Sequence, residues 1–338
     1  PFILTAQGTD NDGATVTTTF TLNVYNPGRM RFEFWKAGSA GVAKMMDLNG
    51  GEVINMGSGF PNTFNIHAIP DGPVAGVEFS GSSNRTDQAA PYTSSNETNG
   101  QSASAGVYNF TIKSYQSGSG QMLSQQNLNF VLNKMPYVNT SSPLSAQRML
   151  SGRQFTYVIP STAFKDDDGT ITIQVVPSTL PSWLTANGPT LTGTAPMTAG
   201  TFTLTVRATD NYGAYVETQL IIEVISLIIE LRPGSNYNSS TPPLQILNNG
   251  DVIPRTGLPS KINLYYVFSG TAVKSTSTTI TGAVSVNGDD ISAPFTASQS
   301  GTGFTTANGT YQVTVRFYDN IGRSGTPLGT KTFTFQIQ

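Results

Sequence analysis

Cysteine is absent from this 338-residue chain, and histidine occurs once, at His67. The missing thiols exclude a disulfide framework and any metal site that depends on cysteine. A Ser/His/Asp triad would have to use His67, but no nucleophile motif accompanies it. His67 lies in an alternating run, and we expect a surface or cross-strand residue rather than a ligand or a general base.

Charge and long apolar runs are also scarce. Charged residues make up 11% of the chain and the net charge is −2, so the sequence offers no basic stripe for nucleic acid and no cationic face for anionic lipid. No apolar run approaches the roughly 20 residues that a membrane span needs. The glutamates are scattered, and no phosphate-binding glycine loop precedes a helix. The sequence therefore predicts no enzyme, no nucleic-acid partner and no membrane insertion.

The rest of the composition favours strands. The chain has 34 Gly, 20 Pro and 10% aromatic residues, and its many β-branched residues make it a poor helix former. The aromatic residues lie inside alternating runs, which argues against disorder. Runs at 30–35, 63–68, 75–79, 107–112 and 128–132 alternate with a period of two and are separated by Gly, Pro and Asn. This pattern predicts an all-β chain of sandwich domains.

The chain also repeats itself at a spacing of about 200 residues. Residues 9–14 (TDNDGA) return as residues 209–214 (TDNYGA), and an alternating strand follows each copy. Further echoes join 48–54 with 247–253, 90–92 with 293–295, and 106–111 with 309–314. A repeat of this length is typical of a pair of ordinary domains rather than of a solenoid turn.

The repeat predicts four segments of two alternating types. Residues 1–26 form the C-terminal part of a first-type domain, and residues 136–225 form a complete one. Residues 27–135 and 226–338 form the second type, named here modules B1 and B2. The chain opens in mid-strand, so we expect its true beginning to lie upstream. The predicted architecture is a row of tandem β-sandwiches in an extended array.

Four motifs follow one another within residues 136–225. They are 164–169 (FKDDDG), 180–184 (LPSWL), 191–196 (LTGTAP) and 208–213 (ATDNYG). This segment resembles the dystroglycan-type cadherin-like domain, an Ig-like domain of bacterial surface proteins, and residues 1–26 resemble its last part. Modules B1 and B2 are similar to the Ig-like modules that alternate with such domains in large repetitive surface adhesins of Bacteroidota, of the gliding-motility type. The resemblance implies an extracellular or cell-surface location.

Five aspartates are candidates for metal binding: Asp166, Asp168, Asp210, Asp10 and Asp12. Clustered carboxylates suit a hard cation such as Ca²⁺. The resemblance implies that the loops with the first three lie at one end of the domain and share an ion, with the last two in the preceding partial domain. The alternative is that these aspartates make β-turns by accepting bonds from their own backbone. Both uses remain open, and Ca²⁺ is the only cofactor expected.

Aromatic residues allow a second reading of the chain. Trp183 lies between Leu180 and Leu184, which predicts a core plug, with sugar stacking as the alternative; Gly193 and Pro196 predict a turn. Glycan binding by the B modules requires exposed coplanar rings, for which the candidates are Trp35, Tyr92, Tyr115, Tyr265, Tyr266 and Tyr318.

Together, residues and resemblance predict a non-enzymatic structural repeat segment. It would serve as the stalk of a large bacterial cell-surface or secreted adhesin and extend a distal binding region from the cell. Its expected partners are neighbouring repeats of the same polypeptide, with surface glycans or other cells bound through regions outside this chain. The alternatives are carbohydrate-binding accessory modules of a secreted polysaccharide-degrading enzyme and a subunit of a self-assembling surface filament.

Overall fold

β-Strands dominate the computed structural model of the chain. It describes residues 2–26, 29–38, 42–96, 98–116, 120–234, 242–270, 273–291, 293–298 and 302–338. Within these ranges the only helical turns are two 3-10 turns, Ser161–Ala163 and Pro177–Thr179. The prediction of an all-β chain is therefore confirmed. The predicted boundary between residues 26 and 27 involves residue 27, which lies outside the described residues.

The strands up to residue 138 are β1 (Phe2–Thr9), β2 (Thr15–Leu22), β3 (Met30–Lys36), β4 (Ala43–Leu48), β5 (Glu52–Met56), β6 (Thr63–Pro70), β7 (Gly76–Gly81), β8 (Arg85–Asp87), β9 (Tyr92–Thr93), β10 (Gln101–Ser102), β11 (Gly106–Tyr115), β12 (Met122–Lys134) and β13 (Tyr137–Val138). Those up to residue 225 are β14 (Gln147–Leu150), β15 (Gln154–Val158), β16 (Phe164–Lys165), β17 (Ile171–Val175), β18 (Leu184–Asn187), β19 (Thr190–Thr194), β20 (Gly200–Asp210) and β21 (Tyr215–Ile225). The remainder are β22 (Leu227–Pro233), β23 (Gln245–Ile246), β24 (Asp251–Ile253), β25 (Lys261–Phe268), β26 (Ser275–Gly282), β27 (Val286–Asp290), β28 (Phe295–Thr296), β29 (Phe304–Thr305), β30 (Gly309–Tyr318) and β31 (Gly329–Ile337).

The chain divides into two compact units. The first comprises Pro1–Tyr137, Asp166–Ile171 and Thr209–Tyr215, and the second comprises Val138–Lys165, Thr172–Ala208 and Val216–Gln338. The division into the four segments that the repeat indicates stays a prediction. Among the described residues, no helix has the length and apolar character needed to cross a membrane.

Module B1 is a sandwich of two sheets. One has the order β10-β6-β3-β4 with β9 also on β6, and the other has the order β5-β12-β11-β7-β8. Strand β5 runs parallel to β12, while the remaining pairs are antiparallel. Every second residue of β11 from Phe110 to Ser114 is buried, as a half-buried strand requires. The core between the sheets includes Phe34, Phe64, Phe79 and Phe130.

Module B2 has the same topology. Its sheets have the orders β23-β22-β25-β28, with β29 on β25, and β24-β31-β30-β26-β27. Strand β24 runs parallel to the last strand, β31, just as β5 runs parallel to β12 in B1. A cis peptide precedes proline at the same place in both modules, at Pro91 and Pro294. The sequence repeat is therefore a repeat of the fold.

In the segment that separates modules B1 and B2 in sequence, β14-β21-β20-β17 form one sheet and β15-β19-β18 form another. Strand β14 is parallel to β21. Trp183 contacts Phe155 and Phe202 edge to face, with ring centroids 6.1 and 5.3 Å apart. These contacts match the predicted core plug.

Candidate functional site

The aspartate turns of the repeat have the same geometry in both copies. Asp10 Oδ1 accepts hydrogen bonds from the backbone N–H groups of Asp12 at 3.1 Å and Ala14 at 2.8 Å. Asp210 Oδ1 accepts the corresponding two bonds at 2.8 and 2.9 Å. Asn and Asp stabilise turns through such bonds to backbone two residues on. The predicted β-turn use of these two carboxylates is thus observed.

The second oxygen of Asp210 enters a buried network. Asp210 is only 7% exposed, and its Oδ2 accepts a bond from Asn133 Nδ2 at 2.8 Å. The same amide donates to Asn55 Oδ1 at 2.8 Å. Asn133 and Asn55 face each other on the parallel strands β12 and β5. All three residues belong to the first compact unit, and buried networks of this kind are costly to leave half satisfied.

Sequence reasoning missed the two asparagines. The available signal was an amide at Asn133, directly after the apolar end of an alternating run and two residues before the predicted boundary at 135–136. Its partners lie 77 and 78 positions away along the chain, so no local pattern could identify them.

Asp166 and Asp168 lie together in the loop before β17. Asp166 Oδ1 accepts the backbone N–H of Asp168 at 3.3 Å, and Asp168 Oδ2 accepts the backbone N–H of Lys134 at 3.0 Å. Asp166 Oδ2 is buried and has no hydrogen-bond partner. Burial raises the pKa of Asp166, and the carboxylates of Asp168 and Asp210 raise this pKa further. The pKa of Asp166 thus reflects the nearby charges of Asp168 and Asp210, while Asp10 and Asp12 lie in the β1–β2 turn.

This arrangement meets only part of what calcium requires. A cation would satisfy the orphaned Asp166 Oδ2 and relieve the repulsion between carboxylates. However, both oxygens of Asp210 already accept bonds, and in the described part of the chain no three carboxylate or histidine side chains are grouped to hold an ion. Calcium binding thus needs these carboxylates to move closer together, and it stays a prediction.

Asp166→Asn is expected to stabilise the fold at neutral pH, because it removes a charge that burial and the neighbouring carboxylates disfavour. The gain is at most about 1 kcal/mol, since the carboxylate is only partly shielded from solvent. A raised pKa means that the folded state holds the proton more tightly than the unfolded chain. The stabilisation from that proton is complete below the unfolded pKa of an aspartate and is lost as pH rises through the folded pKa. Denaturant unfolding at acidic and neutral pH measures this. The gain in the free energy of unfolding should vanish at acidic pH. An Asp166→Asn variant that is less stable than the wild type at neutral pH would contradict this prediction. Asp12→Asn, a substitution of an exposed aspartate in the other turn, is the control.

A groove of about 850 Å³ opens on the outer face of module B1. Trp35 and His67 line one part of it and Tyr92 another. The rings of Trp35 and His67 stack with centroids 4.4 Å apart and planes 7° from parallel. His67 pairs with Glu33 across β6 and β3 and is buried, so the cross-strand expectation is confirmed and the surface one is wrong.

The polar groups of Glu33, Trp35 and Tyr92 in this groove are bonded within the module. Trp35 Nε1 donates to Glu33 Oε2 at 2.8 Å, and Lys44 Nζ donates to Glu33 Oε1 at 2.6 Å. Burial alone raises the pKa of Glu33, but the bonds from Lys44 and Trp35 bring it below its ordinary value. The Tyr92 hydroxyl donates to the Val74 carbonyl at 3.0 Å. The groove therefore offers ring faces more than unused donors.

Module B2 carries different chemistry at the corresponding place. Trp35 pairs with Asn65 across the strands of B1, and Arg232 pairs with Asn263 in B2. Arg232 Nε donates to Glu230 at 2.7 Å, and its guanidinium carbon lies 6.0 Å from the ring centre of Tyr265. Of the other aromatic candidates, Tyr265, Tyr266 and Tyr318 are buried, and the Tyr115 hydroxyl donates to Glu78.

Comparison with known proteins extends these observations. The family described as "Putative Ig domain" matches residues 136–225, the segment that holds all four motifs, so the resemblance to an Ig-like domain is confirmed for this segment. No curated protein matches the chain.

Several solved structures of tandem domains are similar in part. The fibronectin(III)-like modules of Clostridium thermocellum CbhA are 20% identical, covering 52% of this chain and 90% of that one, with a TM-score of 0.27. Titin domains I67–I69, in an E-to-A variant, are 10% identical over 91% of this chain and 98% of that one, with a TM-score of 0.36. Drosophila N-cadherin EC1–4 is 12% identical, covering 99% of this chain and 83% of that one, with a TM-score of 0.25. The fold class itself follows from the strands described above.

Proposed function

We propose that the chain is a non-enzymatic, load-bearing repeat segment from the stalk of a bacterial surface or secreted adhesin. One observation carries this proposal: the first and last strands of each B module lie inside sheets rather than at edges. In B1, β3 lies between β6 and β4, and β12 lies between β5 and β11. In B2, β22 lies between β25 and β23, and β31 lies between β24 and β30.

This placement determines how a module responds to tension. A pull on the two ends of B1 loads β3 in one sheet and β12 in the other. Because each is bonded on both sides, neither can be removed one hydrogen bond at a time from a free edge. Strand β12 alone pairs along Gly106–Tyr115 and along Glu52–Met56, so many bonds must break together. A segment that holds under load in this way suits a stalk that extends a distal binding region.

The test of this role is the native polypeptide itself. An antibody raised against the chain is used on intact source cells and on their lysate. We expect surface labelling and a band many times larger than 35.9 kDa. A band near 35.9 kDa would overturn the stalk, and ordered filaments in that preparation would favour the self-assembly alternative.

Calcium is part of the proposal as a reinforcing ion at Asp166, Asp168 and Asp210. The orphaned Asp166 Oδ2 supports it. Selective binding to the folded state raises the apparent stability by mass action. Melting in millimolar calcium and in chelator is therefore expected to separate the wild type but not Asp166→Asn. Equal melting of the wild type in both buffers removes calcium from the account.

A second candidate function is glycan binding by module B1, favoured by the shared groove of Trp35 and Tyr92. The faces of aromatic rings stack against the C–H faces of sugar rings. We expect the chain to be retarded in a native gel that contains laminarin or xylan. Trp35→Ala should weaken the affinity that this retardation reports by up to about tenfold, since a lost stacking indole costs up to about 1.4 kcal/mol. Tyr215→Ala, outside the groove, is the matched control, and equal migration in gels with and without glycan rejects this candidate.

A further inference from the structure

Leu150 ends strand β14 of the segment 136–225, but its side chain belongs to the hydrophobic core of module B2. It is 6% exposed and lies in one cluster with Ile229, Leu231 and Phe317 of that module. Leu150 and module B2 also belong to the same compact unit. The core of B2 is therefore completed by a residue from the preceding segment.

The pairing of β14 holds Leu150 at the boundary with B2. Leu150 lies opposite Ile225 on the parallel strand β21, and Ile225 is the last residue before B2. The backbone N–H of Ser151 donates to the Ile225 carbonyl at 3.0 Å, which continues this pairing by one residue. Successive side chains of a strand point to opposite faces, so the buried neighbour Met149 points away from the face that carries Leu150.

Hydrogen bonds fix the same boundary at two further places. The backbone N–H of Ser226 donates to Ser269 Oγ at 2.9 Å, and the backbone N–H of Ser269 donates to the Ser226 carbonyl at 3.1 Å. Arg153 Nη2 donates to the carbonyl of Thr330, on β31, at 3.2 Å. Leu150 is thus one of several contacts that set the direction in which B2 leaves the preceding segment.

An ion-pair network lies beside these contacts. Arg148 Nε donates to Glu223 Oε2 at 2.6 Å, and Arg148 Nη1 lies 3.8 Å from Asp319 Oδ2 of B2. The three side chains line a cleft of about 630 Å³ and are 32% to 48% exposed. Ion pairs exposed to this degree add little to stability. The energetic link between the segment and B2 is therefore the apolar contact of Leu150.

We infer that the segment 136–225 and module B2 form a dependent pair, in which B2 draws part of its stability from its predecessor. The interaction surface is the end of B2 next to Ser226 and Ser269, and its partner is the corner of residues 150–153. Without Leu150, the core of B2 would lose a buried side chain and keep a cavity. The repeat of about 200 residues in the sequence is then the length of such a pair rather than of one sandwich.

The test is hydrogen exchange of the full chain, read at amides of β30 for B2 and of β20 for the segment 136–225. Leu150→Ala should lower the protection of the β30 amides at least about 30-fold, the low end of the range for a leucine truncated in a core. Met149→Ala is the matched control, because it removes a buried side chain from the same strand on the opposite face. It should lower protection in β20 and leave β30 unchanged.

Two further variants keep the test decisive. Arg148→Ala should change the protection of β30 less than about fivefold, since an exposed ion pair contributes little. If Leu150→Ala does not fold, Leu150→Val should give a smaller loss at the same β30 amides. Protection of β30 that is the same in the Leu150 variant as in the wild type, or that falls equally in Met149→Ala, would overturn the inference. Neither result depends on where the native protein is located or on its mass, so a failed stalk and a failed pair are distinguishable.

Discussion

Phe130→Ala should lower the free energy of unfolding of module B1 by about 3–5 kcal/mol, the cost of deleting a buried aromatic ring. Phe130 is fully buried. Its ring centroid lies 5.9 Å from that of Phe34, 6.0 Å from that of Phe64 and 5.1 Å from that of Tyr108. These neighbours come from both sheets, so the sandwich cannot collapse around the cavity without moving a strand. Since whole domains are stabilised by only about 5–15 kcal/mol, the loss is large.

The matched control lies in the repeat. Phe335 of B2 is equally buried and stacks on Tyr311 with centroids 4.5 Å apart. We expect calorimetry to show a lowered transition for B1 in Phe130→Ala and a lowered transition for B2 in Phe335→Ala. If each variant lowers every transition by the same amount, the modules do not have separate cores, and the prediction that B1 and B2 are separate copies of one fold is wrong.

Asp210→Ala is expected to cost about 3 kcal/mol. The change leaves the Asn133 amide and two turn N–H groups without their acceptor in a buried place, and unsatisfied buried donors cost about 1–3 kcal/mol each. Chemical denaturation of the full chain measures the loss. Asp210→Asn should recover part of it, because an amide oxygen can still accept turn bonds.

The counterpart Asp10→Ala separates burial from turn chemistry. Asp10 makes the same two turn bonds but is exposed, so water replaces the lost acceptor. We expect a loss of no more than about 1 kcal/mol. Similar losses in the two variants would show that the network with Asn133 adds nothing.

Local pattern was sufficient for much of the fold. The alternating run at 107–112 lies in β11, and the run at 128–132 lies in β12. The aspartate turns could be predicted because a turn aspartate acts on backbone within four residues. Each of these features depends on neighbours in sequence, which is why a single chain reveals them.

Features that depend on distant partners could not be predicted. Strand β5 is only five residues long and is defined by its parallel pairing with β12, a partner that no window around it contains. Gly193 was expected in a turn but lies inside β19, between β15 and β18. A Cβ at that position would lie 2.1 Å from the Trp183 carbonyl oxygen. Glycine is needed there for a close approach of backbones, not for a bend.

The acidic loops also combine features that the sequence could predict with features that depend on distant partners. The family resemblance implied that Asp166, Asp168 and Asp210 lie together, and the carboxylates of Asp168 and Asp210 raise the pKa of Asp166. What the residues alone could not reveal is that Asp210 is already engaged by Asn133. The unused oxygen of Asp166 is likewise a product of the folded loop.

The central claim, that these sandwiches bear load, is tested most directly by stretching a single chain from its two ends. The account predicts separate unfolding events for B1 and B2, each releasing roughly 35 nm of contour at about 3.6 Å per residue, at forces that require strands to break away together. Phe130→Ala should weaken one event and Phe335→Ala the other. A smooth extension at low force, with no discrete events, would contradict the account.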